Sequence, residues 1–307
     1  MRVGLLVPTL NAGSRWPAWI HALSIQTRQP DRVLVIDSAS TDNTLTLARA
    51  AGYETHLISR TDFDHGGTRQ LGVRLLQDCD IIVCLTQDAL LDNEHALAAL
   101  ITAFTAPRVA VAYGRQLPHD EATPIAAHAR HFNYPAIPKA NRFEDRVQSG
   151  IRTAFCSNSF AAWRRSALLE IGGFAQGTLF GEDMQTCARL LMAGHTVIYA
   201  AHAQVRHSHN YRVIEEFRRY FDTGAMHTMT PWLIQAFGTP GGEGRRYVAS
   251  EWRWLSSYGC RWKVRACASN AAKWFGYQLG RHYRWLPRAI RPRFSLHPGW
   301  WNKPGHQ

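Results

Sequence analysis

The chain carries no apolar run near the roughly 20 residues that a bilayer-crossing helix needs, so no helix is expected to span a membrane. Its opening, Met-Arg-Val-Gly-Leu-Leu-Val-Pro-Thr-Leu-Asn, is too short and too early broken for an export signal, and it reads as a first strand. The six cysteines (Cys79, Cys84, Cys156, Cys187, Cys260 and Cys267) form no CxxC pair. Without an export signal, reduced thiols in a cytoplasm are the expected state. Neither GxGxxG nor a P-loop pattern follows the first strand, which argues against dinucleotide oxidoreductases and P-loop enzymes. Internal repeats and low-complexity segments are also lacking.

What is present is an ordinary globular composition over 307 residues, 46% hydrophobic and 19% charged, enough for one large domain or a domain with an appendage. The charge is uneven. From Glu243 to Gln307 there are 13 Lys and Arg against 2 Glu, and 7 of the 11 tryptophans. A nearly neutral body is therefore followed by a basic, aromatic tail. We divide the chain at residue 230, with residues 1–114 as a nucleotide-binding half, 115–230 as an acceptor and catalytic half, and 231–307 as a helical extension.

In the body, strand patterns over Arg2–Pro8, Arg32–Asp37, Tyr53–Ile58, the segment from Ile81, and Val109–Tyr113 alternate with helical ones. This spacing predicts an α/β fold of βαβ units with a mainly parallel sheet. The loops at Asn11, Asp37, His65 and Asp88 then lie at strand carboxyl ends, where an open sheet of this kind binds ligands. Ser14 is a candidate cap for a helix reaching Gln26. Residues 116–150 read as an irregular polar excursion with four prolines, Thr153–Trp163 as a strand carrying polar groups, and 182–193 as a helix opened by Gly181-Glu182-Asp183.

Chemistry concentrates at a few positions. Asp37 ends a strand and can accept a hydrogen bond from a base or a ribose; its plainer use is a helix cap. Asp88 ends the most buried strand as a hard, short ligand suited to Mg²⁺ or Mn²⁺; helix capping is again the alternative. His207 and His209 alternate on an extended segment, so one of them is expected to point into a given site. Glu182 and Asp183 sit at a helix start, where the dipole favours carboxylates and where one could act as a general base. Arg69 offers a partner for a phosphate, or a salt bridge at the sheet edge.

Taken in order, Pro8-Thr9-Leu10-Asn11, Val35-Ile36-Asp37-Ser38, Thr86-Gln87-Asp88-Ala89 and Gly181-Glu182-Asp183 resemble the family 2 glycosyltransferases of the GT-A fold, over roughly residues 1–230. The stretches 63–69, 86–89 and 207–211 more narrowly resemble bacterial dTDP-L-rhamnose-dependent rhamnosyltransferases. The resemblance implies an inverting transfer with Asp183 as base, Asp37 reading the pyrimidine, and Asp88 with His207 holding a divalent metal. Thr9, Asn11, His65, Gly66, Arg69 and Gln87 are assigned with Asp37 and Asp88 to the nucleotide sugar, and Asn158, Trp163 and Glu182 to the acceptor. A fuller DxD motif carries acids where this chain has Gln87 and Ala89.

The implied partners are a nucleotide-sugar donor, a glycan or glycolipid acceptor in cell-envelope polysaccharide synthesis, and an anionic membrane surface met by the tail at the inner face of the cytoplasmic membrane. Helices packed on the body with a solvated basic face, or an oligomer interface, are the other uses of that tail. A sugar nucleotidyltransferase would be expected to carry a Gly-rich, basic triphosphate loop where Asn11-Ala12-Gly13-Ser14-Arg15 stands. A nucleic-acid-binding protein would leave the acidic loops unexplained, so no nucleic-acid partner is expected.

Overall fold

A computed structural model describes residues 1–239 and 241–303. The β-branched runs form β1 (Val3–Thr9), β2 (Arg32–Asp37), β3 (Glu54–Leu57), β4 (Ile81–Leu85), β5 (Leu90–Leu91), β6 (Val109–Leu117), β7 (Lys139–Asn141), β8 (Phe160–Arg164) and β9 (Thr196–Arg206). They make one sheet in the order β3-β2-β1-β4-β8-β6-β9-β5, with β7 added on β9. Strands β1 to β4 are parallel neighbours, β6 and β9 are parallel to each other, and antiparallel β8 joins the two blocks. The period-2 alternation splits β4 between two cores: Ile81, Val83 and Leu85 face one, Ile82 and Cys84 the other. Both faces are covered by helices, as a strand apolar on both sides requires.

This topology places the site. Strands β1, β2 and β4 end at one edge. Because β8 is antiparallel to β4, it begins there, with Phe160 opposite Leu85 and Thr86 N donating to Ser159 O at 3.2 Å. Strand β9 ends at the same edge beside β6, where His207 N donates to Leu117 O at 2.8 Å.

Several expectations change. Thr153–Trp163 is not one strand: a 3₁₀ turn covers Gly150–Ala154 and only Phe160–Arg164 joins the sheet. The residues between leave the ladder to bond across the site. The 116–150 excursion contains a helix, Pro124–Asn133, whose N-cap Thr123 accepts from Ala126 N at 3.3 Å. Pro124 stands at the first helical position, where its missing N–H costs nothing. His65 through Arg69 belong to a helix, His65–Leu75, capped by Asp64 rather than to the loop before it. Ser14 makes no cap bond, and the first α-helix runs Trp16–Ser24. Asp37 and Asp88 cap no helix; the helix after β2 takes Asn43 as its N-cap, and Asp88 lies between β4 and β5.

The C-terminal helices pack on the body. Helix Cys260–Arg281 lies along helix Val213–Met229 at backbone distance. A Cβ on Gly276 would stand 2.3 Å from Phe217 O, and one on Gly224 would stand 2.2 Å from Tyr277 O. Lys273 and Glu216 form a buried pair at 3.5 Å in this seam. Helix Glu243–Trp254 is tied to the body by Trp254 Nε1 donating to Pro124 O at 3.0 Å, and by the Arg152–Glu243 pair. Among the described residues no helix is long and apolar enough to cross a membrane. Gly276→Ala gains up to about 1 kcal/mol of helix propensity but forces the backbones apart, at about 1–3 kcal/mol for overpacking. We expect net destabilisation, read as a lower urea midpoint; an unchanged midpoint would show that the seam yields.

Candidate functional site

Three groups of side chains meet at the shared edge. The first interlocks the loops after β1 and β2. Thr9 Oγ1 donates to Asp37 Oδ2 at 2.8 Å, and Ser40 binds the same carboxylate through its hydroxyl (2.6 Å) and its backbone N–H (2.8 Å). Asn11 Oδ1 accepts from Thr41 N at 2.8 Å, and Asn11 N donates to Ser40 Oγ at 2.7 Å. Asn11 (φ 46°) and Ala39 (φ 60°) are the non-glycine residues with left-handed backbone among those described. Strain of this kind persists where surrounding bonds over-determine it. Asp37 is fully buried, and its Oδ1 carries one of those bonds, which leaves acceptor capacity for a ligand. Ser38 Oγ, next in sequence, is buried without a partner. Gln87 holds Leu10 at both ends, accepting from its N–H at 2.8 Å and donating to its C=O at 3.1 Å. Where an acidic residue would stand in a fuller motif, this amide instead fixes the first loop.

The second group is Asp88, His207 and His209, whose ligand atoms all lie within 4.8 Å of one another. His207 Nε2 is 3.4 Å from Asp88 Oδ2, and His209 Nε2 is 3.7 Å from it. The expected alternation of the two histidines fails because β9 ends at Arg206, and the irregular chain beyond turns both rings to the same carboxylate. The tautomer of His207 follows from its other nitrogen. Nδ1 lies 2.9 Å from Gln116 Oε1, an oxygen that also accepts from Arg130. An acceptor requires the proton on Nδ1, so the Nε2 lone pair faces the carboxylate. Two lone pairs at that distance repel unless a proton or a cation lies between them. Burial opposes the charge of Asp88, but with a proton in that place the hydrogen bond and charge of His207, then Thr86 and His209, outweigh it and hold the carboxyl well below its usual range. Burial, followed by His207, lowers His209 to about 4. The donor set fits a divalent ion. Sequence reasoning missed Gln116, the residue that orients His207; its place at the end of a strand beside β9 was the signal.

The third group surrounds Asp183. Asp183 Oδ2 accepts from Asn158 N at 3.0 Å and Oδ1 accepts from Met184 N at 2.8 Å. Asn158 Nδ2 donates to Glu182 Oε1 at 3.0 Å, while its Oδ1 accepts from Trp163 Nε1 at 2.9 Å. Arg69 NH1 pairs with Glu182 Oε1 at 3.0 Å and also donates to His65 O at 2.9 Å. Asn158, Trp163, Glu182 and Arg69 are all buried, and they bind one another beneath Asp183. Arg69 thus takes the salt-bridge alternative rather than an open phosphate-facing one. Gly66 packs so closely that a Cβ would stand 1.7 Å from Ala175 O, which brings the His65 helix against the loop leading to Asp183. Burial opposes the Glu182 charge, but Arg69, His65 and Asn158 hold its pKa below the usual value. Asp183 moves the other way: burial first, then the Glu182 charge, raise it above the carboxylate range.

If Gln116 fixes the metal-binding tautomer of His207, Gln116→Leu lowers Mn²⁺ affinity by about 10-fold or more. Titration calorimetry of the metal with the variant and parent proteins checks this; equal affinities would remove Gln116 from the site.

Comparison with known proteins agrees with this geometry. Residues 5–172 match Glycosyl transferase family 2. The chain is 44% identical over 299 residues to the O-antigen chain rhamnosyltransferase WbaN of Salmonella anatum, covering 97% of this chain and 95% of that one. It is 45% identical over 303 residues to the O-antigen chain rhamnosyltransferase RfbN of Salmonella typhimurium, covering 98% and 96%. Among solved structures, the mannosyltransferase PcManGT of Pyrobaculum calidifontis, in complex with GDP-Man and Mn²⁺, has a TM-score of 0.60 at 17% identity, covering 92% of this chain and 86% of that one. Glucosyl-3-phosphoglycerate synthase of Mycobacterium tuberculosis, with Mn²⁺, UDP and its product, has a TM-score of 0.51 at 18% identity, covering 78% and 81%. The fold is that of these GT-A enzymes, and the chain belongs to glycosyl transferase family 2.

Proposed function

We propose that this glycosyltransferase moves L-rhamnose from dTDP-L-rhamnose to a glycan or glycolipid acceptor in cell-envelope polysaccharide synthesis, with inversion at the anomeric carbon. The observation that carries the reading is the convergence of Asp37, the Asp88–His207–His209 cluster and Asp183 at one sheet edge. The rhamnosyltransferases to which the chain is similar along nearly its whole length support the sugar.

In this reading Asp37 accepts the pyrimidine N3–H, and the β1 and β2 loops hold the nucleoside. Asp88, His207 and His209 would hold the divalent ion; two imidazoles beside one carboxylate favour Mn²⁺ over the harder Mg²⁺. When bound, the ion offsets the charge of the departing diphosphate. Asp183 takes the proton of the acceptor hydroxyl, whose oxygen forms the new bond to the anomeric carbon as the bond to the diphosphate breaks. Glu182, Asn158 and Trp163 keep Asp183 in place, and Arg69 acts through Glu182.

The tail meets the anionic inner face of the cytoplasmic membrane in this proposal. The inward face of helix Cys260–Arg281 is occupied by its packing on the body. Its outward face carries Val264, Ala268, Ala271 and Phe275 at helical spacing, with Trp274 beside them. Trp274 and Phe275 are each 59% exposed and Trp285 is 81% exposed, among many Arg and Lys. Indole rings favour headgroups, and each basic residue near an anionic leaflet contributes about 1 kcal/mol.

Asp183→Asn keeps the helix start but removes the proton acceptor, so transfer falls about 10²-fold or more while dTDP binding measured by calorimetry persists. Near-normal turnover in Asp183→Asn together with loss in Glu182→Gln would move the base to Glu182. With its raised pKa, Asp183 is protonated at acid pH and inactive as a base. Turnover should therefore climb with pH beyond the usual carboxylate range; a flat profile there would count against the role. For the membrane surface, the protein should sediment with anionic vesicles and not with neutral ones, and less so as salt rises or in Trp274→Ser/Phe275→Ser. Equal sedimentation with both vesicle types would reject it.

A further inference from the structure

We propose that His297 is a positioning residue for the transfer, the point at which the C-terminal segment Ser295–Lys303 clamps the loop that delivers Asp183. The proposal rests on Asp183 as the base. The loop from Gly172 runs directly into Glu182-Asp183, and it turns on glycines in left-handed conformation, Gly177 (φ 65°) and Gly181 (φ 75°), the latter immediately before the pair. Glycine moves readily among conformations at such points, so the loop's own backbone holds it weakly.

Gln70, Thr186 and Asp64 hold the first part of the loop through the N–H groups of Phe174, Ala175 and Gly177, and the C-terminal segment adds the hold on residues 177–180. Trp300 Nε1 donates to Gly177 O at 3.1 Å. Leu179 is buried in a cluster with Phe221, Tyr283 and Trp301. The His297 ring stacks on Phe180 at 6.3 Å and 16°, and meets His65 edge-on at 5.3 Å and 87°. Lys303 Nζ donates to Phe63 O at 2.8 Å. His297 therefore stands between two segments that lead to Asp183. One is the loop through Phe180. The other is the start of the His65 helix, whose Arg69 pairs with Glu182.

The segment is anchored without the help of this ring. Leu296 N donates to the buried Asp222 Oδ2 at 2.8 Å, His297 N donates to Ser295 Oγ at 2.8 Å, and Trp301 is buried. Removing the imidazole thus loosens the clamp and leaves the segment in place.

The test compares the full chain with His297→Ala, His297→Phe and Asp183→Asn. For His297→Ala we expect kcat to fall about 10-fold, equivalent to about 1.4 kcal/mol, with donor KM nearly unchanged. Backbone amides of residues 177–184 should exchange hydrogen faster while the β4 amides do not. His297→Phe keeps a ring between Phe180 and His65 and should restore both readouts. Unchanged kcat and exchange in His297→Ala would overturn the proposal. So would a loss confined to KM, a kcat loss without faster exchange, or failure of the phenyl ring to rescue. Asp183→Asn separates the two claims: if it retains turnover, the base assignment fails, while the exchange data still judge the clamp.

Discussion

The site depends on one buried ion pair. Arg69 and Glu182 meet at 3.0 Å with side chains almost wholly removed from water. Charges placed there cost several kcal/mol each in lost hydration, and only close pairing with further hydrogen bonds offsets that. Asn158 supplies such a bond to Glu182, and through its backbone it supplies one to Asp183. The pair therefore does more than hold a helix to a helix. Burial first, and then the negative member of the pair, raise the energy of a charge on Asp183, while Arg69 offsets a smaller part. A carboxylate that would be a poor base in water becomes a stronger one in such surroundings, which is what the proposed role of Asp183 needs.

The opposite side of the edge is organised by mismatch instead of by balance. The Gln116–His207 bond turns a lone pair towards Asp88, an arrangement that calls for a proton or a cation between the two. The fixed amide of Gln87 and the strained Asn11 and Ala39 keep the neighbouring loops preset. Little reorganisation is left for the moment of binding, which is how a polar site acts on charge that develops during a reaction.

The parallel half of the sheet and its loops were legible because apolar strands punctuated by Asn11, Asp37 and Asp88 obey short-range rules. The family was legible from the order of those motifs. What lay hidden was long-range. Nothing near Asn158 in the sequence says that it must break its strand to reach residues 182 and 183. The strict alternation applied to His207 and His209 assumed that β9 continued past Arg206. Arg69 has the chemistry of a phosphate ligand, and only the tertiary position of Glu182 claims it. The helix that Pro124 opens lay inside the stretch read as irregular, since the residue that ends helices also starts them. For the tail, packing of its helices on the body was one of the readings open, and Gly224 and Gly276 bring its long helix to backbone contact there.

The place of β8 between β4 and β6 bears on how such an enzyme can be re-engineered. Exchanging residues 1–114 for those of a relative with another donor would look like a modular swap. Yet β4 is zipped along its whole length to a strand from the other half, Ile81 opposite Arg164 through Leu85 opposite Phe160. A poorly matched graft would leave that apolar strand as an open edge, a template for aggregation. Substitutions at single loop positions leave this seam intact, which an exchange of halves does not.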